Sequence, residues 1–416
     1  MSKKFIFFFL IVLLSTRSFA NNMLIQNVTT TGNNATNKTI QVQFDMSWDN
    51  SWRDSINWDA AWIFIKFKDA NGLWQHAQLN LAGYANGNGT SNIVKVTSDK
   101  VGAWVYRSAL GSGTFNSTSM QLQWNYGLNG LSNVTGLEVR VFAVEMVYVP
   151  EGDFTCANSY CYKRYNLTPG FLNFSALNSG LPVINKRISP TLIYDDFSLK
   201  IKGDLGLDTN NDDIVDITTY PIGYNPFYCL KYEMTNQQYT DFLNTLTEEQ
   251  IINVGVIGCS LINGSYFSTS PESSCYGSGD DETKFLSFAD WSGLRPMTIL
   301  EFNKASFGPF PPEYFQGVLC FNQTLPRFSY YGILDLETNL LEPVVNLNVT
   351  SFLQKNGNGI LPSSGINDVE SWNLPRPVTM PGDNFSSALI SYIRPGNNVY
   401  FSFIGSTGFR YVRSAE

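Results

Sequence analysis

The stretch Asp208-Thr209-Asn210-Asn211-Asp212-Asp213-Ile214-Val215-Asp216 has side chains spaced to hold a metal ion. A tight calcium loop places oxygen ligands at its first, third, fifth and ninth positions and a backbone carbonyl at its seventh, which makes Asp208, Asn210, Asp212 and Asp216 the candidate ligands. Two departures count against it. Asp213 stands where such a loop carries glycine for its sharp turn, and Thr219 stands where it carries a bidentate glutamate. Calcium held here would be structural; the competing reading is a solvated acidic linker.

Thiols and imidazoles are scarce. The six cysteines are Cys156, Cys161, Cys229, Cys259, Cys275 and Cys320, and the one histidine is His76. An even cysteine set in an exported chain favours disulfides over free thiols or zinc, and Cys156 with Cys161, the closest pair, is the one bridge expected. His76, beside Trp74 and Gln75, reads as an ordinary surface residue with no serine and aspartate to complete a triad. Neither a Gly-rich phosphate loop nor a His-Glu-x-x-His pattern occurs.

Seven of the nine tryptophans precede residue 145, and Trp48, Trp52, Trp58 and Trp62 fall within one short stretch. Exposed rings at Trp48, Trp52 and Trp58 would make a platform for stacking sugars. Aromatic clusters at strand spacing more often fill a core, with the indole N–H bonded to turns, and that reading is favoured here.

The elements that must position these residues begin after a leader. Lys3 and Lys4, the apolar run Phe5 to Leu14 and the small-x-small sequence Ser18-Phe19-Ala20 form a signal peptide over 1–20, with the mature chain expected to start at Asn21. The run is about ten residues, short of the roughly 20 a membrane span requires, and no later stretch is apolar enough to be an integral membrane segment. The expected location is secreted or at the cell surface. A net charge of −8 with only 15% charged residues argues against nucleic acid or anionic lipid as partner and suits an uncharged or cationic one.

Over 21–144, apolar and polar residues alternate, as in Ile40, Val42, Phe44 and Met46, in Met120, Leu122 and Trp124, and in Leu137, Val139, Val141 and Ala143. Period-two alternation between Gly/Asn/Ser-rich turns predicts an antiparallel β-sandwich, with the more continuously apolar Ala61 to Phe67 as a central strand covered on both faces. Over 145–416 the texture changes to short strands, loops and two short helices. These begin at capping boxes, Thr235-Asn236-Gln237-Gln238 and Thr298-Ile299-Leu300-Glu301.

Four segments of this second region resemble, in order, the formylglycine-generating enzyme family, or sulfatase-modifying factor domain. They are Met146 to Phe154, similar to M-V-x-I-P-G-G-x-F; Phe227 to Leu243, similar to F-x-I-x-K-Y-E-V-T-N-x-Q-Y-x-x-F-L; Leu294 to Ala305, similar to R-L-P-T-x-x-E-W-E-x-A; and Gly408 to Arg413, similar to G-F-R-x-V-R. The resemblance implies an α+β, loop-rich C-type-lectin-like domain over 145–416. It makes Glu233, Thr235, Arg295, Thr298, Glu301 and Arg410 motif scaffold, read here as a buried charge and capping network.

Active members of that family hold copper with two cysteines shortly before the closing motif, and no cysteine here follows Cys320. Related iron enzymes use three histidines, and this chain has one. Copper and iron are therefore not expected. The sequence reads as a secreted or surface-exposed, non-catalytic interaction protein whose partner is an extracellular protein or glycan. Two alternatives stand beside it: a metal-dependent oxidase using a displaced pair, Cys156 and Cys161, and a carbohydrate-binding protein using the tryptophan cluster.

Overall fold

The computed structural model describes residues 22–152, 154–157, 185–188, 220–275, 282–309, 328–336, 342–345, 352–372, 378–380 and 408–416. The leader, the four candidate calcium ligands Asp208, Asn210, Asp212 and Asp216, and Cys161 lie outside these residues, and of Cys156 only the backbone is described.

The described residues form a strand-rich, mixed fold with antiparallel sheets. A four-stranded sheet in the order β1-β2-β8-β5 comprises β1 (Leu24–Asn34), β2 (Thr39–Arg53), β8 (Gly111–Asn125) and β5 (Asn88–Gly89). An eight-stranded sheet lies against it. Its first-half strands are β3 (Asp59–Lys68), β4 (Trp74–His76), β6 (Asn92–Val96), β7 (Ala103–Arg107) and β9 (Val139–Val149). The same sheet continues through β12 (Phe227–Leu230), β15 (Arg295–Pro296) and β18 (Tyr411–Ser414). Three small hairpin-like pairs complete the strands: β10 (Phe154–Ala157) with β11 (Asn185–Ile188), β13 (Ser260–Ile262) with β14 (Ser265–Phe267), and β16 (Glu342–Val344) with β17 (Val378–Met380).

The alternation read from the sequence places side chains as expected on β2 and β8. Val42, Phe44, Met46, Leu122 and Trp124 point inward, into a core shared with Ile63, Ile65 and Val105 of the facing sheet. β3 is covered on both faces. Ala61, Ile63 and Ile65 enter that core, while Ala60, Trp62 and Phe64 enter a second core on the opposite face of the sheet. At about 1.5–3 kcal/mol for each fully buried large apolar side chain, the run Trp62 to Ile65 contributes on consecutive residues what a half-exposed strand contributes on alternate ones.

The second core is closed by four helices: α1 (Asn236–Leu243), α2 (Glu248–Val254), α3 (Glu282–Ser292) and α4 (Ile299–Phe307). Thr235 caps α1 in a capping box with Gln238, and Thr298 caps α4 with Glu301, as the sequence signals predict. α2 and α3 were not anticipated. α2 has its own box, Thr247 with Gln250, but Val254 is its one buried residue, so the periodic apolar stripe that would announce it is missing.

β9 joins the two halves. It runs through residues 144 and 145, pairing with β3 from Phe67↔Val139 to Asp59↔Val147 and with β12 from Leu230↔Met146 to Phe227↔Val149. The first-half sheet is thus continuous with the strands that carry the family-like motifs.

Candidate functional site

Five aromatic rings meet where β9 and β12 run beside the start of β3 and the outer end of β7. Tyr148 faces Tyr228 in the β9–β12 register, and the Tyr148 N–H donates to the Trp58 carbonyl at 2.9 Å. Trp58 stacks on Tyr148 with centroids 4.1 Å apart and planes at 9°, and Trp104 stacks on Tyr228 at 3.6 Å and 17°. Tyr106 completes the wall, 5.2 Å from Trp58. Alternation places Trp104 and Tyr106, two residues apart on β7, on the same face.

These rings line a cavity of about 170 Å³ whose other boundary is Lys95, Thr97, Ala415 and Glu416. A cavity of about 150 Å³ holds one benzene-sized ring, so the space fits a single six-membered ring with its substituents toward the polar rim. Burial pushes the phenols of Tyr106, Tyr148 and Tyr228 up, so they stay neutral hydrogen-bonding groups at physiological pH. The indole N–H of Trp58 is buried and turned toward the Tyr228 hydroxyl, to which it lends a hydrogen bond. The guanidinium of Arg53 covers the cluster, 4.5 Å from the Trp58 ring and 5.3 Å from Tyr106, and its Nη1 donates to the Arg107 carbonyl at 2.6 Å. At the rim, Ser98 donates to the Glu416 carboxylate through its N–H at 2.6 Å and its hydroxyl at 2.8 Å, and Lys95 donates to the Glu416 carbonyl.

Of the three tryptophans proposed as a platform, the structure brings one to this site. Trp48 is 1% exposed, stacks on Phe115 at 3.9 Å and donates to Asp59 at 3.1 Å, so its faces are unavailable to a ligand. Strand alternation explains this, since Trp48 continues the inward series of Val42, Phe44 and Met46. Trp52 is half-buried against Gly332, where an added Cβ would lie 2.9 Å from its ring. Of the three, Trp58 alone lines the pocket, beside Trp104 of β7.

The motif scaffold residues are bound up in the interior. Arg295 forms a buried two-pronged pair with Glu301, Nη1 to Oε2 at 2.8 Å and Nη2 to Oε1 at 2.5 Å, while Glu301 Oε2 also accepts the Thr298 N–H at 3.0 Å. Arg410 donates to Glu342 at 2.8 Å and to the carbonyls of Leu230, Lys231 and Leu334 at 2.8, 3.0 and 2.8 Å. Glu233 is buried near Arg410, and Thr235 serves as a cap. Each holds loops onto the sheet.

His76 departs from the surface placement expected of it. It is 1% exposed, with its ring against Gly359 and its Nε2–H donating to the Val101 carbonyl at 2.6 Å. A carbonyl can only accept, which fixes the neutral tautomer with a bare Nδ1. Lys66 is buried beside it, donating to the Trp291 carbonyl at 2.8 Å and the Gly359 carbonyl at 2.5 Å. A single histidine between Gln and Ala carries no sequence signal that the loop around Gly359 will close over it.

Among the described residues, no three His, Cys, Asp or Glu side chains gather as a metal-binding group. The sulfurs of Cys229, Cys259 and Cys275 are unbridged in this structure. No described helix is long and apolar enough to cross a membrane. No family model, no curated protein and no solved structure matches the chain.

Proposed function

We propose that this chain is an exported, non-catalytic interaction protein that recognises a neutral, ring-bearing group of an extracellular partner in the aromatic pocket, a glycan unit fitting best. In this reading residues 145–416 are a degenerate formylglycine-generating-enzyme-like domain with a lectin-type fold, and the signal peptide directs it outside the cell. The observation that carries the proposal is the pocket: a ring-sized space walled by stacked aromatic rings, with Lys95, Thr97 and Glu416 at its polar edge. Flat apolar faces with polar edges suit a pyranose, whose axial C–H groups stack while its hydroxyls reach the rim. Supporting it further, Arg295, Glu301 and Arg410 already have their partners inside the protein.

The test is titration of the mature protein with a panel of methyl glycosides, followed by tryptophan fluorescence and calorimetry. Saturable binding that is lost in Trp58→Ala and retained in Trp74→Ala is expected. Absence of binding across the panel, or binding indifferent to Trp58→Ala, removes the pocket as the recognition site.

A further inference from the structure

Cys259 and Cys275 stand at the two ends of one excursion of the chain, the hairpin of β13 and β14 and the turn that follows it. Both ends return to the same place on α1. At the first, Gly258 lies so close to Asn236 that an added Cβ would be 2.2 Å from its Oδ1. At the second, the Asn236 N–H donates to the Ser273 carbonyl at 2.9 Å and its Nδ2 to Ser270 at 3.1 Å, while the Cys275 N–H donates to Met234 at 2.7 Å. The Thr240 hydroxyl, one turn beyond Asn236, bonds the Cys259 thiol, and Cys259 packs on the core in which Cys275 is buried. The two thiols also feel each other: burial pushes Cys275 up to about 12, and Cys259 beside it adds to the rise.

We propose that Cys259 and Cys275 are joined by a disulfide in the mature protein, locking the 259–275 excursion onto the N-terminal turn of α1. The oxidant is an external disulfide, of the dithiol-oxidase or glutathione class, so the proposal rests on the export reading for its setting. Half-exposed Cys259 loses its proton and attacks one sulfur of that donor; the donor's S–S bond breaks and one donor thiol leaves. Cys275 then gives up its proton and attacks Cys259 Sγ in the mixed disulfide, expelling the second donor thiol. Two protein thiols are oxidised and one donor disulfide is reduced. Cys229 takes no part: it is fully buried on β12, and burial pushes its thiol far up.

The experiment uses full-length protein in two preparations, one exported and one made in a reducing cytoplasm and then equilibrated with oxidised glutathione. Each is alkylated, digested without reductant and read by mass spectrometry. A peptide pair joined through Cys259 and Cys275, two hydrogens lighter than the separate thiols, is expected in both. Cys275→Ser should instead trap glutathione on Cys259 and lower the melting midpoint by several degrees. The proposal is overturned if wild-type protein itself accumulates the glutathione adduct, or if both thiols remain alkylatable in the glutathione-treated sample. Formation with glutathione but not in exported protein would refute the export setting and leave the geometry standing.

Discussion

Lys231 is joined to Glu145 twice: its N–H donates to the Glu145 carbonyl at 3.1 Å, and its Nζ lies 2.6 Å from Glu145 Oε1. The same Nζ is 3.4 Å from Asp59, whose carboxylate also accepts from Trp48, Ser51 and Trp52. One ammonium thus serves two buried carboxyl groups drawn from β3 and β9, and Glu145 is the one left to keep its proton. Burial pushes Glu145 up to about 8, with Lys231 opposing and Asp59 adding to the rise.

Removing the cation should be far worse than neutralising the acid. Lys231→Met leaves the buried carboxyls of Asp59 and Glu145 without their cation and is expected to cost about 3–5 kcal/mol, whereas Glu145→Gln should be nearly neutral at pH 5, where folded Glu145 still keeps its proton. The folded Glu145 binds its proton more tightly than the unfolded one, so its contribution is fully present below pH 4.5 and is lost as pH rises to about 8. Glu145→Gln should remove that part of the decline, while Glu342, pushed up to about 8 by burial, keeps its own share. Urea midpoints at pH 5 and pH 8 read both effects, and equal pH slopes in wild type and Glu145→Gln would refute the assignment.

Acid should act through His76 in the opposite sense. Burial first, then the charge of Lys66, holds its imidazole well below the usual histidine range, with the Val101 bond opposing and Arg413 adding to the effect. Its contribution is present above the unfolded value of about 6.5 and is lost as pH falls through the folded one. Comparing His76→Gln with wild type from pH 7.5 to pH 5 cancels Asp290, which burial pushes up to about 6. The variant should lose stability less steeply, and a parallel pair of curves would show that His76 is not the group involved.

Gly359→Ala should be destabilising by about 1–2 kcal/mol from its backbone alone, since its φ is +81°. A Cβ there would also lie 2.1 Å from His76 Nδ1, which adds a steric cost. Thermal melts of Gly359→Ala and of Gly264→Ala, where φ is +80° with nothing within 4 Å of the added carbon, separate the two contributions. Equal losses would mean the loop yields freely around His76.

The calcium reading of Asp208, Asn210, Asp212 and Asp216 has a thermal test. A ligand at about 100 times its Kd stabilises by roughly 2.7 kcal/mol, so saturating calcium should raise the melting temperature and chelator should reverse it. Asp212→Ala should abolish the gain. An unchanged curve leaves the acidic linker.

Local chemistry was legible in the sequence, and long-range pairing was not. The capping boxes at Thr235 and Thr298 and the two-sided burial of Ala61 to Phe67 follow from spacing and composition within a few residues. Trp48 was legible as core for the same reason. The pocket depends on Tyr148 meeting Tyr228 across eighty residues of chain, a register that neither segment encodes alone, so Tyr148 and Tyr228 read only as parts of family-like motifs. His76 was missed because the loop that buries it arrives from Gly359.

β3 lends one face to each core, so neither core can open without uncovering half of the same strand. Heating should therefore meet one cooperative unit and give a single calorimetric transition. The same arrangement sets the pace of assembly. Trp62 on β3 donates to the Ser292 carbonyl across 230 residues of intervening chain, and Lys66 reaches Gly359 across 293. Contacts of that separation carry a heavy loop-closure entropy before they return any stability, which makes this a slow folder with exposed strand edges while it waits.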